Sequence, residues 1–341
     1  MIARGHEVML LCPAEARILA EAARFGVPAQ AAPIGRKGVA GLLALRRLIG
    51  RLRPDVVNTH SSTDTWLVAL ARLFMFRPPP MVRTRHISAP VHPNAASRWL
   101  YARATTRVVT TGEQLRRSLI EQTGISAGRV SSIPTGIDAG RFYPGDPVAA
   151  RRALGLSGEG PWIGIVATLR SWKGHLYLLE AFAKLRTSGA RLLIVGDGPM
   201  REVLAERVRA LGIGERVIMA GERREPEYWM RAFDLFCLPS YANEGVPQAL
   251  MQAMLCGLPV ITTPVGAIPE IIADGRTGIL VPARDAGALA GAIDLALADP
   301  AGRAALGRAA RLEALEHFGF DRMIERMEAV FGEAVASVRA D

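Results

Sequence analysis

WIGIVATLRSWKGH, residues 162–175, is the segment from which the fold class is predicted first. A short β-branched apolar run is followed there by a polar loop that contains a lysine and a glycine, and an Ala/Leu-rich segment comes next. This order predicts a strand over Trp162–Thr168, then a loop and a helix, which is one unit of a parallel α/β sheet. Residues 235–254, LFCLPSYANEGVPQALMQAM, repeat the pattern.

The same alternation extends outward over the whole chain and occurs twice. Helical periodicity lies between the apolar runs of the first half, at Leu42–Leu52 and Thr65–Phe76. The predicted strands are His6–Leu11, Asp55–Thr59, Met81–Thr84, Arg107–Thr110 and Val130–Ile133 in the first half, and Trp162–Thr168, Arg191–Val195, Val217–Ala220, Leu235–Leu238, Pro259–Thr262 and Gly278–Val281 in the second.

Two sets of strand–helix units in 341 residues predict two domains. We expect an α/β protein with two Rossmann-like, doubly wound parallel-sheet domains facing a cleft, at residues 1–145 and 146–319. The turn-rich stretch from Pro134 to Pro147 predicts the connection between them. The amphipathic segment 320–341 predicts a helix that packs back toward the first domain.

The start of the chain departs from this pattern. A doubly wound sheet opens with a central strand, a glycine turn and a helix. Met1–Arg4 instead predicts the last turn of a helix, with Gly5 as its left-handed cap. We therefore expect the opening strand–helix unit, with its glycine-rich loop, to be missing.

The composition excludes several classes of protein. Half of the residues are hydrophobic and 22% are charged, which indicates a globular chain. We expect neither a membrane-spanning helix nor a signal peptide, because no uncharged apolar run is long enough and the start lacks the required layout. Cys12, Cys237 and Cys256 lie far apart, which predicts neither a disulfide framework nor a zinc site and fits a reducing cytoplasm.

The net charge of +10 belongs to the first half, since residues 1–150 contain 20 basic and 9 acidic side chains. Such a surface attracts nucleic acid, an anionic membrane or a phosphorylated substrate. A bias toward arginine in the coding sequence explains the charge equally well. We do not expect nucleic acid, because no aromatic-interleaved basic stretch or zinc-finger spacing is present.

Two loops that follow predicted strands carry the chemistry, because parallel sheets bind ligands at the carboxyl ends of their strands. Arg170 and Lys173 stand at a helix start, where cations and free backbone N–H groups predict a diphosphate clamp. Glu244 precedes a glycine and a second helix start, so its carboxylate would accept sugar hydroxyls while the N–H groups hold phosphate. Gln252 shares a helical face with Gln248. The alternatives are a solvated helix start and a helix-dipole carboxylate.

Two further motifs are weaker. Residues 195–201, VGDGPMR, lack the third glycine of a nicotinamide-binding loop, which favours a tight strand-to-helix turn. His86 ends a strand of the basic half and is a candidate cleft residue, with an ordinary core or surface histidine as the alternative. No D-x-D pair occurs, so a Mg²⁺ or Mn²⁺ ion held by closely spaced aspartates is not indicated. We expect no metal and no cofactor. P-loop and G-x-S-x-G motifs are also absent, which counts against an ATPase, a kinase or an α/β-hydrolase.

The order and spacing of these motifs resemble the retaining, nucleotide-sugar-dependent glycosyltransferases of family 4, which have the two-domain GT-B fold. The likeness extends over nearly the whole chain. It rests on Arg4–Val8, Ile133–Asp138 with Arg141, Phe142 and Pro144, Lys173–Gly174, Val195–Pro199, Leu238–Ser240, Glu244–Gly245, Ala253–Met254, Gly257–Ile261, Gly266–Glu270, and Gly275 with Gly278.

The resemblance implies roles for individual residues. Lys173, with Arg170 beside it, would hold the diphosphate of a UDP- or GDP-sugar, and Glu244 would contact the transferred sugar. The stretch Gly245–Pro247 would hold phosphate through the backbone N–H groups of Gly245 and Val246, and Gln252 would face the ribose. His86 would lie on the acceptor side, near the sugar.

Three residues depart from the family pattern. Gln252 replaces the carboxylate that ends the family's E-x7-E motif, so we expect a weaker or altered grip on the nucleotide. Thr168 stands where many members have an arginine, and Arg170 is the expected substitute. The glycine-rich loop that normally closes over the donor belongs to the missing opening segment.

The resemblance implies a metal-independent glycosyltransferase that retains the anomeric configuration and makes cell-envelope polysaccharide or lipopolysaccharide from a glycan or lipid-linked acceptor. The basic half and the helix Trp66–Arg77 suggest a cytoplasmic protein that docks to the anionic inner face of the membrane, with a core helix as the alternative. Two other functions remain open: a GT-B-fold epimerase or hydrolase of sugar nucleotides, and a non-catalytic remnant that binds them.

Overall fold

The computed structural model describes residues 1–86, 91–92, 94–242 and 244–339, the side chain of Arg339 excepted. The chain divides into two compact units. The first combines Met1–Pro134 with Met323–Asp341, and the second is Thr135–Arg322.

The first unit contains two separate parallel sheets, a pair of order β1-β2 and a four-stranded sheet of order β3-β4-β5-β6. The described strands and α-helices are, in order, β1 (Leu10–Cys12), α1 (Arg17–Arg24), β2 (Ala29–Ala31), α2 (Val39–Leu52), β3 (Val57–Thr59), α3 (Ser62–Arg72), β4 (Met81–Arg85), α4 (Ala95–Trp99), β5 (Arg107–Thr110), α5 (Glu113–Thr123) and β6 (Val130–Ser132).

The described residues of the second unit form one parallel sheet of order β12-β11-β10-β7-β8-β9. Its elements are α6 (Pro147–Ala153), β7 (Trp162–Val166), α7 (His175–Ala183), β8 (Arg191–Val195), α8 (Arg201–Ala210), β9 (Val217–Gly221), α9 (Pro226–Met230), β10 (Leu235–Leu238), α10 (Gln248–Leu255), β11 (Val260–Thr262), β12 (Ile279–Leu280), α11 (Ala286–Ala298) and α12 (Pro300–His317). This is the doubly wound order of a Rossmann fold.

The last helix, α13, runs over Phe320–Arg339 and joins the first unit from Met323 onward. Its residues Val330 and Ala334 pack with Val82 of β4 and Val109 of β5 in one buried cluster. The predicted packing of the C-terminal helix on the first domain is therefore confirmed.

The second unit begins at Thr135, whereas the sequence analysis placed its start at residue 146. Ile137 and Phe142 are both buried in the core of the second unit, so the turn-rich stretch after Pro134 already belongs to that unit. Sequence composition marked the stretch as a connection but could not show on which side its apolar side chains are buried.

The first strand is shorter than predicted, since β1 begins at Leu10 and not at His6. Its partner β2 spans only Ala29–Ala31 and offers no ladder position to the earlier residues. The predicted helical turn before it is present at Ile2–Arg4, and Gly5 ends it with a φ of 86°.

The helix predicted over Thr65–Phe76 begins and ends earlier, at Ser62 and Arg72. A reciprocal capping box between Ser61 and Asp64 sets its start. None of the described helices combines the length and the apolarity that crossing a bilayer requires.

Candidate functional site

Strands β7 and β10 lie side by side in the second unit and bring together the two loops that carry the motifs. The chain leaves β7 toward β8 on one side, while β10 continues toward β11 on the other. In doubly wound sheets this reversal opens a crevice outside the carboxyl ends of the two strands. Gly164 permits the close packing beneath it, since a Cβ there would stand 2.1 Å from the ring of Phe233.

The loop after β7 makes a single 3-10 turn over Ser171–Lys173 before α7 begins at His175. Gly174 between them has a φ of 78°, and an added Cβ would approach the backbone oxygen of Pro239 to 1.8 Å. Only glycine fits this position, because both the backbone conformation and the contact exclude a side chain. The lysine–glycine pair therefore lets the two loops touch.

Lys173 and Glu244, one from each loop, form a bidentate ion pair. Lys173 Nζ lies 2.7 and 3.0 Å from the two carboxylate oxygens of Glu244. The hydroxyl of Ser240 donates to Glu244 Oε1 at 2.6 Å. The Glu244 side chain is only 4% exposed, whereas that of Lys173 is 20% exposed. The carboxylate is thus fixed below, and the ammonium faces outward above it.

The backbone of Glu244 is held as firmly as its side chain. Its carbonyl oxygen accepts the N–H of Ala267 at 3.2 Å. Gly266, with a φ of 60°, lies so close that a Cβ would stand 2.0 Å from the same oxygen. The hydroxyl of Thr263 donates to the backbone oxygen of Ser240. Loops after both β10 and β11 therefore position this carboxylate.

The segment after Glu244 leads into α10, which begins at Gln248 with Pro247 as its N-cap. No described acceptor bonds the backbone N–H of Gly245 or Val246. The side chain of Gln252 is half-buried on α10. The predicted phosphate-binding amides of Gly245 and Val246 thus directly follow Glu244, a member of the ion pair, in the chain.

Arg170 does not join the ion pair. It is exposed, and its guanidinium lies 5.6 Å from the ring centroid of Trp172. Its role in holding a diphosphate stays a prediction.

The VGDGPMR motif forms a tight turn, in which the N–H of Leu169 donates to Asp197 O and that of Met200 donates to Leu169 O. The interpretation of this motif as a strand-to-helix turn is confirmed.

His175, the first residue of α7, is buried and lies two residues after Lys173 in the chain. Burial, reinforced by the positive charge of Lys173, lowers the pKa of His175 to about 4. The backbone of Arg170 is near enough to favour the charged form weakly, but neither ring nitrogen has a described partner in hydrogen-bonding geometry. The imidazole is therefore neutral at pH 7. Sequence reasoning missed this residue, since a histidine at a helix start gives no sign of its burial.

His86 lies in the first unit, directly after β4, and Lys173 and Glu244 lie in the second. Its Nε2 is 2.9 Å from Nδ1 of His60, which follows the neighbouring strand β3. Both residues keep an exposed edge, yet partial burial of the rings lowers the pKa of each.

No metal centre is built from the described residues, since they contain no group of three His, Cys, Asp or Glu side chains that could hold an ion. Cys12, Cys237 and Cys256 are buried free thiols. Burial raises the pKa of Cys256 to about 12 and raises that of Cys237 further, so neither thiol is a nucleophile.

Comparison with known families matches both halves of the chain. The family model described as Glycosyl transferases group 1 matches residues 149–313, and the one described as Glycosyltransferase Family 4 matches residues 1–141. A relative from Acidothermus cellulolyticus, named D-inositol 3-phosphate glycosyltransferase, is 34% identical over 69% of this chain and 55% of its own length. One of similar name from Catenulispora acidiphila is 31% identical over 70% and 58%. The match thus spans less than two thirds of either relative.

Solved structures share the fold. A glycosyltransferase from Rickettsia africae superposes with a TM-score of 0.88 at 20% identity, covering 98% of this chain and 92% of that one. Anabaena HepE in complex with UDP and glucose gives a TM-score of 0.81 at 21% identity, covering 95% and 91%. Together with the sheet order, these likenesses confirm the predicted α/β class with two Rossmann-like domains of the GT-B type.

Proposed function

The chain belongs to the group 1, family 4 glycosyltransferases, and on that premise we propose that it transfers a sugar from a UDP- or GDP-sugar to an acceptor hydroxyl with retention of configuration. The single observation that carries the proposal is the ion pair between Lys173 and Glu244. It joins the two loops at the reversal of a doubly wound sheet, where such sheets bind nucleotides.

The different exposure of the two partners assigns their roles. Lys173 is the outer member, so a diphosphate reaches its ammonium without displacing the carboxylate beneath. Ser240 keeps one oxygen of Glu244 in place, and the other accepts a hydroxyl of the sugar. The backbone N–H groups of Gly245 and Val246 supply further donors to phosphate.

The leaving group sets the mechanism. A nucleoside diphosphate departs with negative charge on its phosphate, and a preorganised cation or N–H donor stabilises that charge by about 3 kcal/mol per group. Lys173 and the amides after Glu244 act in this way, without a metal ion. The departing phosphate takes the proton of the acceptor hydroxyl as the acceptor attacks from the same face, which retains the configuration.

The proposed acceptor is a glycan or a lipid-linked glycan of the cell envelope, used at the inner face of the membrane. The two relatives bear the name of inositol 3-phosphate glycosyltransferases, which supports an acceptor that carries acidic groups. Leu67 of α3 is buried in the core, which agrees with the alternative prediction that this segment is a core helix. Phe74 and Phe76, just beyond its end, are 62% and 95% exposed beside Arg77 and suit contact with an anionic lipid surface.

The test is product analysis with purified protein, UDP- and GDP-sugars and a glycan acceptor. We expect Lys173→Met and Glu244→Gln each to lower turnover at least a hundredfold, and the anomeric configuration of the product to match that of the donor. Lys184→Met and Glu202→Gln remove exposed charges of the same unit and serve as controls.

Each other outcome contradicts a stated part of the proposal. Free nucleotide without glycan product would assign the chain to hydrolysis, and nucleotide binding without turnover would make it a non-catalytic binder. Full turnover in either ion-pair variant would remove that residue from the mechanism. Loss of activity on chelation, restored by a divalent cation, would refute metal independence.

A further inference from the structure

Four polar side chains form a continuous hydrogen-bonded chain across the carboxyl ends of β3 and β4 in the first unit. The hydroxyl of Thr84 donates to Asn58 Oδ1 at 2.9 Å. Asn58 Nδ2 lies 3.1 Å from His60 Nε2. His60 Nδ1 lies 2.9 Å from His86 Nε2. Because β3 and β4 are parallel neighbours, their register brings these residues together.

The two imidazole rings meet edge to edge. Their planes differ by only 9° and their centroids are 5.2 Å apart. Parallel rings stacked face to face keep their atoms roughly 3.5 Å apart or more, whereas the two nitrogens here are 2.9 Å apart. The contact is therefore an in-plane N–H···N hydrogen bond, which requires one ring to donate and the other to accept.

The amide of Asn58 sets the direction of the whole chain. Its Nδ2 can only donate, so His60 Nε2 accepts. A neutral imidazole has one N–H and one lone pair, which leaves the proton of His60 on Nδ1. His60 Nδ1–H then donates to His86 Nε2. The proton of His86 must accordingly lie on its other nitrogen, Nδ1.

We propose that Asn58 and His60 are positioning residues that hold His86 in its Nδ1–H tautomer, so that His86 offers an N–H donor to a hydroxyl oxygen of the substrate. The identity of that substrate rests on the proposed function, while the tautomer rests on the hydrogen bonds alone. His86 is exposed, and its Nδ1 has no partner among the described residues.

The surroundings favour two neutral rings. Partial burial lowers the pKa of both histidines, and for His60 the neighbouring His86 lowers it further. The carboxylate of Asp64 opposes this for His60, but it is already engaged by the backbone N–H groups of His60 and Ser61. When both rings are neutral, the facing nitrogens His60 Nδ1 and His86 Nε2 share a single proton. The tautomer of one ring therefore fixes the tautomer of the other.

The tautomer determines what His86 does. With Nδ1 protonated and Nε2 occupied by His60, the ring has no free lone pair with which to remove a proton from an acceptor hydroxyl. It donates a hydrogen bond to a substrate hydroxyl oxygen and does not act as a general base. This agrees with the proposed reaction, in which the departing phosphate takes the proton.

Two-bond 1H–15N correlation spectra of the 15N-histidine-labelled protein at pH 8 test the inference, since protonated and unprotonated ring nitrogens resonate far apart. The His86→Gln variant assigns the signals. We expect His86 to show a protonated Nδ1 and an unprotonated Nε2. The opposite pattern, or an average of the two tautomers, would overturn the proposal whether or not the protein transfers sugar.

The Asn58→Asp variant tests the direction of the chain. A carboxylate only accepts, so a neutral His60 must turn its proton to Nε2, and His86 must then donate through Nε2 and leave Nδ1 bare. We expect reversed signals and kcat/KM about tenfold lower, the worth of one lost hydrogen bond to substrate. Asn94→Asp adds the same charge at the N-cap of α4 and serves as the matched control.

An unchanged His86 spectrum in Asn58→Asp would show that the chain does not control the tautomer. The His60→Ala variant gives a second test that does not depend on how the Asn58→Asp variant folds. Removal of the donor His60 Nδ1–H should leave His86 with averaged tautomers. A wild-type protein with the expected spectrum but no turnover on any sugar nucleotide would refute the proposed function alone.

Discussion

His175 makes the stability of the second unit depend on pH in a predictable direction. The residue is 2% exposed, and its folded-state pKa of about 4 lies below the value of 6.5 for a solvated histidine. Between these two pH values the unfolded chain binds a proton that the folded unit does not. Stability is therefore complete above pH 6.5 and is lost as the pH falls toward 4.

The size of the effect follows from the shift. At about 1.36 kcal/mol per pKa unit, the complete loss is about 3 kcal/mol. The loss grows steadily as the pH falls below 6.5, and at pH 5 it is about 2 kcal/mol. This lowers the protection of the core amides of the second unit against hydrogen exchange about 30-fold, after correction for the intrinsic exchange rate.

Native-state hydrogen exchange read by mass spectrometry at pH 7.5 and pH 5 measures this on peptides that contain β7. Other groups titrate over the same range, so the decisive quantity is the difference between wild type and His175→Leu, which has no group to protonate at this position. His317→Leu, at an exposed histidine, is the control. An equal pH dependence in wild type and His175→Leu would refute the reasoning.

Three substitutions test other parts of the structure. Gly266→Ala should abolish transfer and lower the melting temperature, because its Cβ would press on the backbone oxygen of Glu244; full activity would contradict the close contact. Gln252→Glu should tighten UDP binding about fivefold by calorimetry, since a carboxylate accepts hydroxyl bonds more strongly than an amide; weaker or equal binding would count against contact with the ribose. Gly50→Ala, in open space on α2, should raise the free energy of unfolding of the first unit by about 1 kcal/mol in urea, and a decrease would point to an unseen contact.

Sequence predicted the second unit better than the first for a physical reason. Its strands contain runs such as Leu192–Val195, buried on both faces, and such runs are visible in the sequence as continuous apolar stretches. Strand β2, Ala29–Ala31, contains no β-branched residue, and it exists only because β1 pairs with it. Contacts between segments distant in the chain decide such elements, and local pattern cannot reveal them.

The same distinction applies to the candidate site. Lys173 and Glu244 were recognisable because each follows a strand and precedes a glycine. Their direct contact, and the hydroxyl of Ser240 beneath, depend on which strands are neighbours. The chain from Asn58 to His86 was equally hidden, since only the register of β3 and β4 aligns its members.

The ion pair explains how the second unit holds two opposite charges at the carboxyl end of its sheet. A buried carboxylate without a partner costs several kcal/mol, and Lys173 and Ser240 together remove that cost for Glu244. In the proposed reaction a diphosphate approaches the exposed side of the Lys173 ammonium, while Lys173 and Ser240 still hold the carboxylate. The oxygen of Glu244 that Ser240 does not hold then accepts a sugar hydroxyl. The site is therefore organised before the donor arrives, and its binding energy remains available for the transition state.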